Sequence, residues 1–508
     1  MGQIRVYHFA VWRRDKINDS YVLRQNSCWE MSMMSANIIC DVVAMGGGPG
    51  ATPGAQLLAR HGLNVVIVEQ GEGLGGTCLF EGCIPSKILL ETARRRAQIA
   101  RAEIFGLAAT KVPDVNVAQL MARKAKILQT RAHGAANACA QLKITIVRGK
   151  ADFLSPHEVK VIRDGEPDVI ITAKWILAAP GSATSHVPIP GSDTPGIWSS
   201  VDALQMDEVP TSITIVGGGY IGCEFATMFS QLGAKVHLLE AMPRLLGTED
   251  PVAAQAVRSA LVAAQVEVQE GVSIQNIQHQ DDNAWTVYYR TADGHEQSIQ
   301  SQRMMVAVGR RPNTSDIHWD LAGIHLGARK EVPVNEYCQT EVPHIYAPGD
   351  VNGHMMLAHA ATRQSLLAAQ HILGMTPAAL LADMVIPHVI FTLPEVASVG
   401  VDSRSLEQHP TWKLTKWPYA RNARALIVGD EEGFAQVIWD TVSGQIKGMQ
   451  VVGEQAGELI VVATHAITRG DILDDLARTV HPHPVLYEVI SELIALAKQE
   501  QTMQPNNS

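Results

Sequence analysis

Two segments of this chain repeat one pattern: an apolar run, three consecutive glycines, a helix-like stretch and a second apolar run closed by a glutamate. The first passes from Ile38–Met45 through Gly46-Gly47-Gly48-Pro49-Gly50-Ala51 to Val65–Val68 and Glu69. The second passes from Ile213–Val216 through Gly217-Gly218-Gly219-Tyr220-Ile221-Gly222 to Val236-His237-Leu238-Leu239-Glu240. A shift of 171 residues carries Gly46, Gly48, Ala51 and Glu69 onto Gly217, Gly219, Gly222 and Glu240. In each copy the first glycine makes a strand-to-helix turn and the second lets a pyrophosphate approach the backbone. The small third residue lets helix and strand pack closely, and the helix N-terminus faces the phosphate charge. A carboxylate closing the second strand accepts ribose hydroxyls. One such turn is weak evidence. Two, each with its acid 23 residues beyond its first glycine, predict two dinucleotide sites on α/β units.

At 508 residues the chain exceeds what one hydrophobic core fills, so several domains are expected. Charged residues are 18% and hydrophobic residues 46%, as in a compact soluble protein. A net charge of −10 argues against nucleic-acid or anionic-membrane partners. No long apolar run is free of charge and proline, so no transmembrane helix is expected. Residues 1–36 read as an N-terminal extension outside the fold. They lack a secretory apolar core, and Asp15, Asp19 and Glu30 are the wrong charges for a mitochondrial presequence. Met31, Met33 and Met34 are alternative starts. A cytoplasmic location is expected, or the mitochondrial matrix if the extension is a presequence.

The segment Gly75-Gly76-Thr77-Cys78-Leu79-Phe80-Glu81-Gly82-Cys83-Ile84-Pro85-Ser86-Lys87 holds two cysteines with four residues between them. In a straight helix such positions differ by roughly 7.5 Å of rise and about 140° of rotation. A disulfide wants Cα atoms within about 7 Å, so the helix start must bend, as Gly82 and Pro85 allow. So small a loop gains little stability from a bridge, and redox chemistry is the better use. A zinc site would need two further ligands, and Cys40 and Cys139 form no such pattern. Seven cysteines in all suggest a reducing compartment, with Cys28, Cys40, Cys139, Cys223 and Cys338 unpaired.

This segment resembles the GGTC-x4-GCIPSK signature of the dihydrolipoamide dehydrogenases and their relatives among the flavin disulfide reductases. The resemblance extends over about residues 38 to 500. It implies two Rossmann-like dinucleotide-binding domains, for FAD and NAD, plus a C-terminal α+β dimerisation domain. The expected division is 37–187 with 310–383 for FAD, 188–309 for NAD, 384–500 for the interface, and a tail at 501–508. By chain order Gly46, Gly48, Ala51 and Glu69 hold FAD, and Gly217, Gly219, Gly222 and Glu240 hold NAD. Glu240 favours NAD over NADP, since a carboxylate repels a 2′-phosphate; Arg244 is the only nearby cation. Thr340–Asp350 resembles the second FAD motif, in which Asp350 binds the ribityl chain. Gly181 belongs to the same site, and Gly309, within Ala307–Asn313, to the NAD side.

The resemblance also assigns the catalytic set. Cys78 exchanges with substrate, and Cys83 lies against the flavin. His483 is the general base, oriented by Glu488 within His481-Pro482-His483-Pro484-Val485-Leu486-Tyr487-Glu488. Lys87 and Glu224 pair beside the flavin ring, and Tyr220 is a candidate gate for the nicotinamide. An imidazole titrates where proton exchange with a thiol needs it. The implied enzyme is a homodimer that oxidises dihydrolipoamide on a lipoyl-carrying protein, or in a 2-oxoacid dehydrogenase-type complex, with NAD⁺. Other readings are a glutathione-reductase-like enzyme, disfavoured by Glu240, and a mercuric-reductase-like one, disfavoured because no cysteine follows Cys338. A diaphorase or transhydrogenase would not need both cysteines, and a flavin-bound scaffold would show no turnover. This chain departs from the family pattern at Phe80-Glu81, Pro180, Pro348 and Val485. The Glu81 carboxylate is expected to raise the pKa of the nearby thiols.

Overall fold

The first apolar run forms the strand Ala36–Met45, near the middle of a seven-stranded sheet in the computed structural model, which describes residues 36–108, 111–280 and 284–503. It runs parallel to Val65–Glu69 on one side and Val169–Ala178 on the other. Thr145–Arg148 and Ile345–Tyr346 extend the parallel part, and Lys150–Ser155 and Glu158–Ile162 add an antiparallel meander. Every residue of Val65–Glu69 is buried, the pattern of a strand covered on both faces. The pairing begins with Ala36 opposite Val169, so Ala36 belongs to the sheet rather than to the extension assigned to 1–36. Backbone pairing carries the strand past its apolar run. Residues 1–35, with Cys28 and the alternative starts, lie outside the described residues, as do 504–508.

A second parallel sheet orders Glu267–Glu270, Lys235–Glu240, Ser212–Val216 and Arg303–Val306, with an antiparallel meander from Ser273 to Ser301 beside it. The chain enters and leaves this unit through a two-stranded crossing, Ser182–Thr184 against Arg310–Pro312. The third sheet is antiparallel and five-stranded, spanning His388 to Gly453. Its helices Ala456–Arg469 and Glu488–Thr502 bury Ile460, Leu493 and Ile494 in one cluster with Trp439 and Met449. The last helix runs to Thr502, past the expected end at 500; its Val489, Ile490, Leu493, Ile494, Ala497 stripe is seated on this core, and Glu500 beyond it accepts a bond from Thr415 Oγ1 at 2.6 Å.

The helix Cys83–Ala100 ties the second and third sheets together. Its Ile88, Leu89 and Ala93 share an apolar cluster with Phe225, Met228 and Phe229 of the helix Tyr220–Leu232, and with Ile390 and Phe434 of the third sheet. Among the described residues no helix is long and apolar enough to cross a membrane.

Candidate active site

The cysteine segment breaks into two helices, Gly76–Phe80 and Cys83–Ala100, with Gly82 as the N-cap of the second. This is the bend the spacing required. It leaves Cys78 half-buried and Cys83 exposed, both as free thiols. Their mutual interaction shifts the two thiols in opposite directions. Cys83 is drawn down to about 7, first by its interaction with Cys78 and then by the Lys87 charge, against desolvation and Glu224. Although surface-accessible, its sulfur has enough protein around it for desolvation to oppose ionisation. Cys78 is pushed up by its interaction with Cys83, by burial and by the carboxylate of Asp350. Cys83 is also the first residue of its helix, where the dipole favours a thiolate. Glu81, exposed at the end of the short helix, is not among the leading charges on either thiol. Contrary to expectation, Glu224 and Asp350 fill that part.

Lys87 lies one turn along the same helix. Its Nζ donates to Glu224 Oε2 at 2.8 Å and to Oε1 at 3.0 Å. Glu224 Oε1 also accepts the Phe391 N–H at 3.0 Å, and Lys87 Nζ sits 4.5 Å from the Phe391 ring centre. Glu224 is buried and so needs these partners. One carboxylate thereby ties the thiol helix, the second glycine-turn helix and the third sheet. Tyr220 opens the second glycine-turn helix, and desolvation raises its hydroxyl's pKa, opposed by the Arg310 charge.

The two glycine turns are built alike. Gly46 N–H donates to Val68 O and Gly217 N–H to Leu239 O, each at 2.8 Å. Glu69 accepts from Gly47 N–H at 2.8 Å and Gly71 N–H at 2.6 Å. Glu240 accepts from Gly218 N–H at 2.5 Å and Met242 N–H at 2.6 Å. The backbone is bare where a pyrophosphate would approach. A Cβ on Gly219 would meet nothing within 4 Å, and one on Gly48 would meet only Gly76 Cα at 3.7 Å. These cradles fit FAD and a nicotinamide nucleotide. The copies differ at the third small residue. Ala51 is accepted and fully buried, whereas a Cβ on Gly222 would lie 1.8 Å from Gly217 O. Arg244 is spent on the carbonyls of Leu246, Gly247 and Glu249.

Asp350 follows the strand Ile345–Tyr346. Its carboxyl is raised by burial and accepts a 2.6 Å bond from Ser182 Oγ. Pro348 O and Ala179 O flank the first turn, as clashes with a Cβ on Gly50 and Gly46 register. Gly181 O accepts Asn313 N–H at 3.0 Å, and Gly309 O accepts Ser185 N–H at 2.9 Å. Both glycines thus stand at the crossing between the first two sheets. Sequence reasoning missed Ser182 and the Phe391 N–H as members of this cluster. A serine after a glycine and a backbone amide carry no signal of their own.

His483 and Glu488 pair with each other, Nδ1 to Oε1 at 2.9 Å, while Glu488 Oε2 accepts the Val485 N–H at 2.9 Å. These bonds hold the Glu488 carboxyl below its ordinary range. Glu488 opens the last helix, where a carboxylate suits the dipole. The bond to Oε2 comes from the backbone amide, so the departure at Val485 leaves it intact. The His481 ring packs on Tyr487 at 4.1 Å, and burial lowers its pKa. The His483 side chain is 73% exposed. It bonds Glu488, not a thiol, so within one chain it points outward from the third sheet's helices.

The family model of the pyridine nucleotide-disulphide oxidoreductases matches residues 40–365, and that of their dimerisation domain matches 386–494. Dihydrolipoyl dehydrogenase of Chlamydia muridarum is 35% identical over 461 residues, covering 90% of this chain and 96% of that protein. Its namesake in Bacillus subtilis is 34% identical over 457 residues, covering 89% and 97%. The HOCl-induced flavoprotein disulfide reductase RclA of Escherichia coli superposes with a TM-score of 0.80 at 26% identity, covering 90% of this chain and 99% of that one. LpdA of Mycobacterium tuberculosis, at 23% identity and a TM-score of 0.82 over 91% of this chain and 99% of that one, shares the fold. FAD and a pyridine nucleotide are the cofactors of this family. The chain belongs to the pyridine nucleotide-disulphide oxidoreductases: it is an oxidoreductase with two dinucleotide domains and the family's dimerisation domain.

Proposed function

We propose that this enzyme oxidises a dihydrolipoyl dithiol, carried on a protein of a 2-oxoacid dehydrogenase-type complex, with NAD⁺. The Cys78–Cys83 pair at the bend of the thiol helix, with the Lys87–Glu224 ion pair one turn along, carries the reading. His483, oriented by Glu488, takes the proton of one substrate thiol. The substrate thiolate attacks Cys78 of the Cys78–Cys83 disulfide, forming a mixed disulfide and releasing Cys83, the better leaving group, as a thiolate. The second substrate thiol then displaces Cys78, its proton passing to the departing Cys78 sulfur, and closes the lipoyl disulfide. Substrate loses two electrons and two protons, and the cysteine pair gains the electrons. FAD and NAD⁺, when bound, supply the onward two-electron transfer. Lys87 keeps a positive charge beside the Cys83 thiolate, and Glu224 holds Lys87 there. Glu69 and Asp350 would hold FAD, and Glu240 the NAD ribose.

The dihydrolipoyl dehydrogenases among the relatives support the dithiol, and the carboxylate of Glu240 supports NAD. The outward-facing His483–Glu488 pair fits a homodimer in which the base serves the partner's thiols. Steady-state kcat/KM with dihydrolipoamide, glutathione disulfide and Hg(II), each with the oxidised or reduced form of NAD and NADP, tests the reading. Dihydrolipoamide with NAD⁺ should lead. A higher value for either other substrate would overturn it.

A further inference from the structure

We infer that Ser182 and Arg310 are positioning residues that together fix Asp350 as the acceptor for FAD, linking flavin retention to the crossing between the first two sheets. Arg310 Nε donates to Ser182 Oγ at 2.8 Å, and its Nη2 donates to Ser182 O at 2.7 Å. With one oxygen thus engaged, the Ser182 hydroxyl proton turns to Asp350 Oδ2 at 2.6 Å. The three residues come from separate passages of the chain. Ser182 lies on the outgoing strand of the crossing, Arg310 opens the returning strand, and Asp350 follows the short strand of the first sheet. Ser182 is buried, so no bulk water would replace its bond to Asp350. The charged or titratable groups around Asp350 are Arg310 on the returning strand, Tyr220 on the second-turn helix and Cys78 on the short thiol helix. The inference depends on FAD at the first site and not on which dithiol is oxidised.

A double-mutant cycle on the purified holoenzyme tests it: Ser182→Ala, Asp350→Asn and the double variant, with FAD release followed by flavin fluorescence across pH. Losing a hydrogen bond to a charged acceptor should weaken FAD retention in Ser182→Ala on the order of 10- to 100-fold. The bond to Ser182 and the Arg310 charge both favour the carboxylate against burial. Without Ser182, the loss of FAD on acidification should therefore begin at higher pH. In the Asp350→Asn background the serine replacement should add little and move no acid limb. Arg310→Met carries the same expectation if Ser182→Ala fails to fold. Retention and pH profile unchanged in Ser182→Ala, or an equal loss in the Asp350→Asn background, would overturn the relay.

Discussion

Cys83 and Lys87 stand one helical turn apart, and the lysine's charge contributes to the cysteine's low pKa of about 7. In the reduced enzyme, alkylation of Cys83 by iodoacetamide should rise with a midpoint near pH 7. Lys87→Met removes a charge that favours the thiolate, so the midpoint should move to higher pH. Site-resolved mass spectrometry of the alkylation rate checks both, and an unmoved midpoint would show that Lys87 serves only to pair with Glu224. Glu240 offers a second residue-level test. Its two oxygens are aimed by the Gly218 and Met242 amides, and Arg244 is occupied elsewhere. NAD⁺ should therefore be preferred clearly, and Glu240→Ala should narrow the preference by removing repulsion toward a 2′-phosphate. Equal use of both nucleotides by the unmodified enzyme would contradict the assignment.

The two glycine-turn elements are near copies, yet they tolerate different residues at their third position. Gly222→Ala would force a methyl group onto Gly217 O, whereas the first turn already holds Ala51, fully buried. Overpacking costs about 1–3 kcal/mol, so the KM for NAD⁺ should rise roughly tenfold or more, with FAD content kept. A KM unchanged from wild type would mean that the turn relaxes freely. These turns could be read from sequence because a glycine's steric demand is local and the spacing to the acid repeats. The bent thiol helix was legible for the same reason. Ser182 with Asp350, and Phe391 with Glu224, were not. They join residues 168 and 167 apart in the chain, and no local pattern encodes a meeting made by the packing of three sheets. Glu81 was misjudged on proximity in sequence, whereas the charges on the thiols come from Glu224 and Asp350 across space. Strand and helix ends were missed at Ala36 and Thr502, where backbone pairing and a side-chain bond from Thr415 to Glu500, not composition, hold the ends.

Across the whole molecule, the thiols sit where the three sheets meet, while His483 and Glu488 face outward on the segment matched by the dimerisation-domain model. If the base works on the partner's thiols, Cys83→Ser and His483→Gln should each lose lipoamide turnover. Mixed dimers should regain it, because each has one intact Cys83 opposite one intact His483. Random pairing gives roughly half mixed dimers with one good site each, so activity should return to about a quarter of wild type. Verified mixed dimers that stay inactive would mean that the base acts within its own subunit, or that His483 is not the base.

The most direct test of dithiol oxidation through Cys78 and Cys83 is an anaerobic single turnover, with dihydrolipoamide mixed with oxidised holoenzyme in the absence of NAD⁺. The lipoyl disulfide should form, and newly alkylatable thiols should appear at Cys78 and Cys83 when the reaction is quenched at early times. Cys78→Ser should form no lipoyl disulfide. Lipoyl disulfide formed without new thiols at these two positions, or formed equally well by Cys78→Ser, would contradict the account.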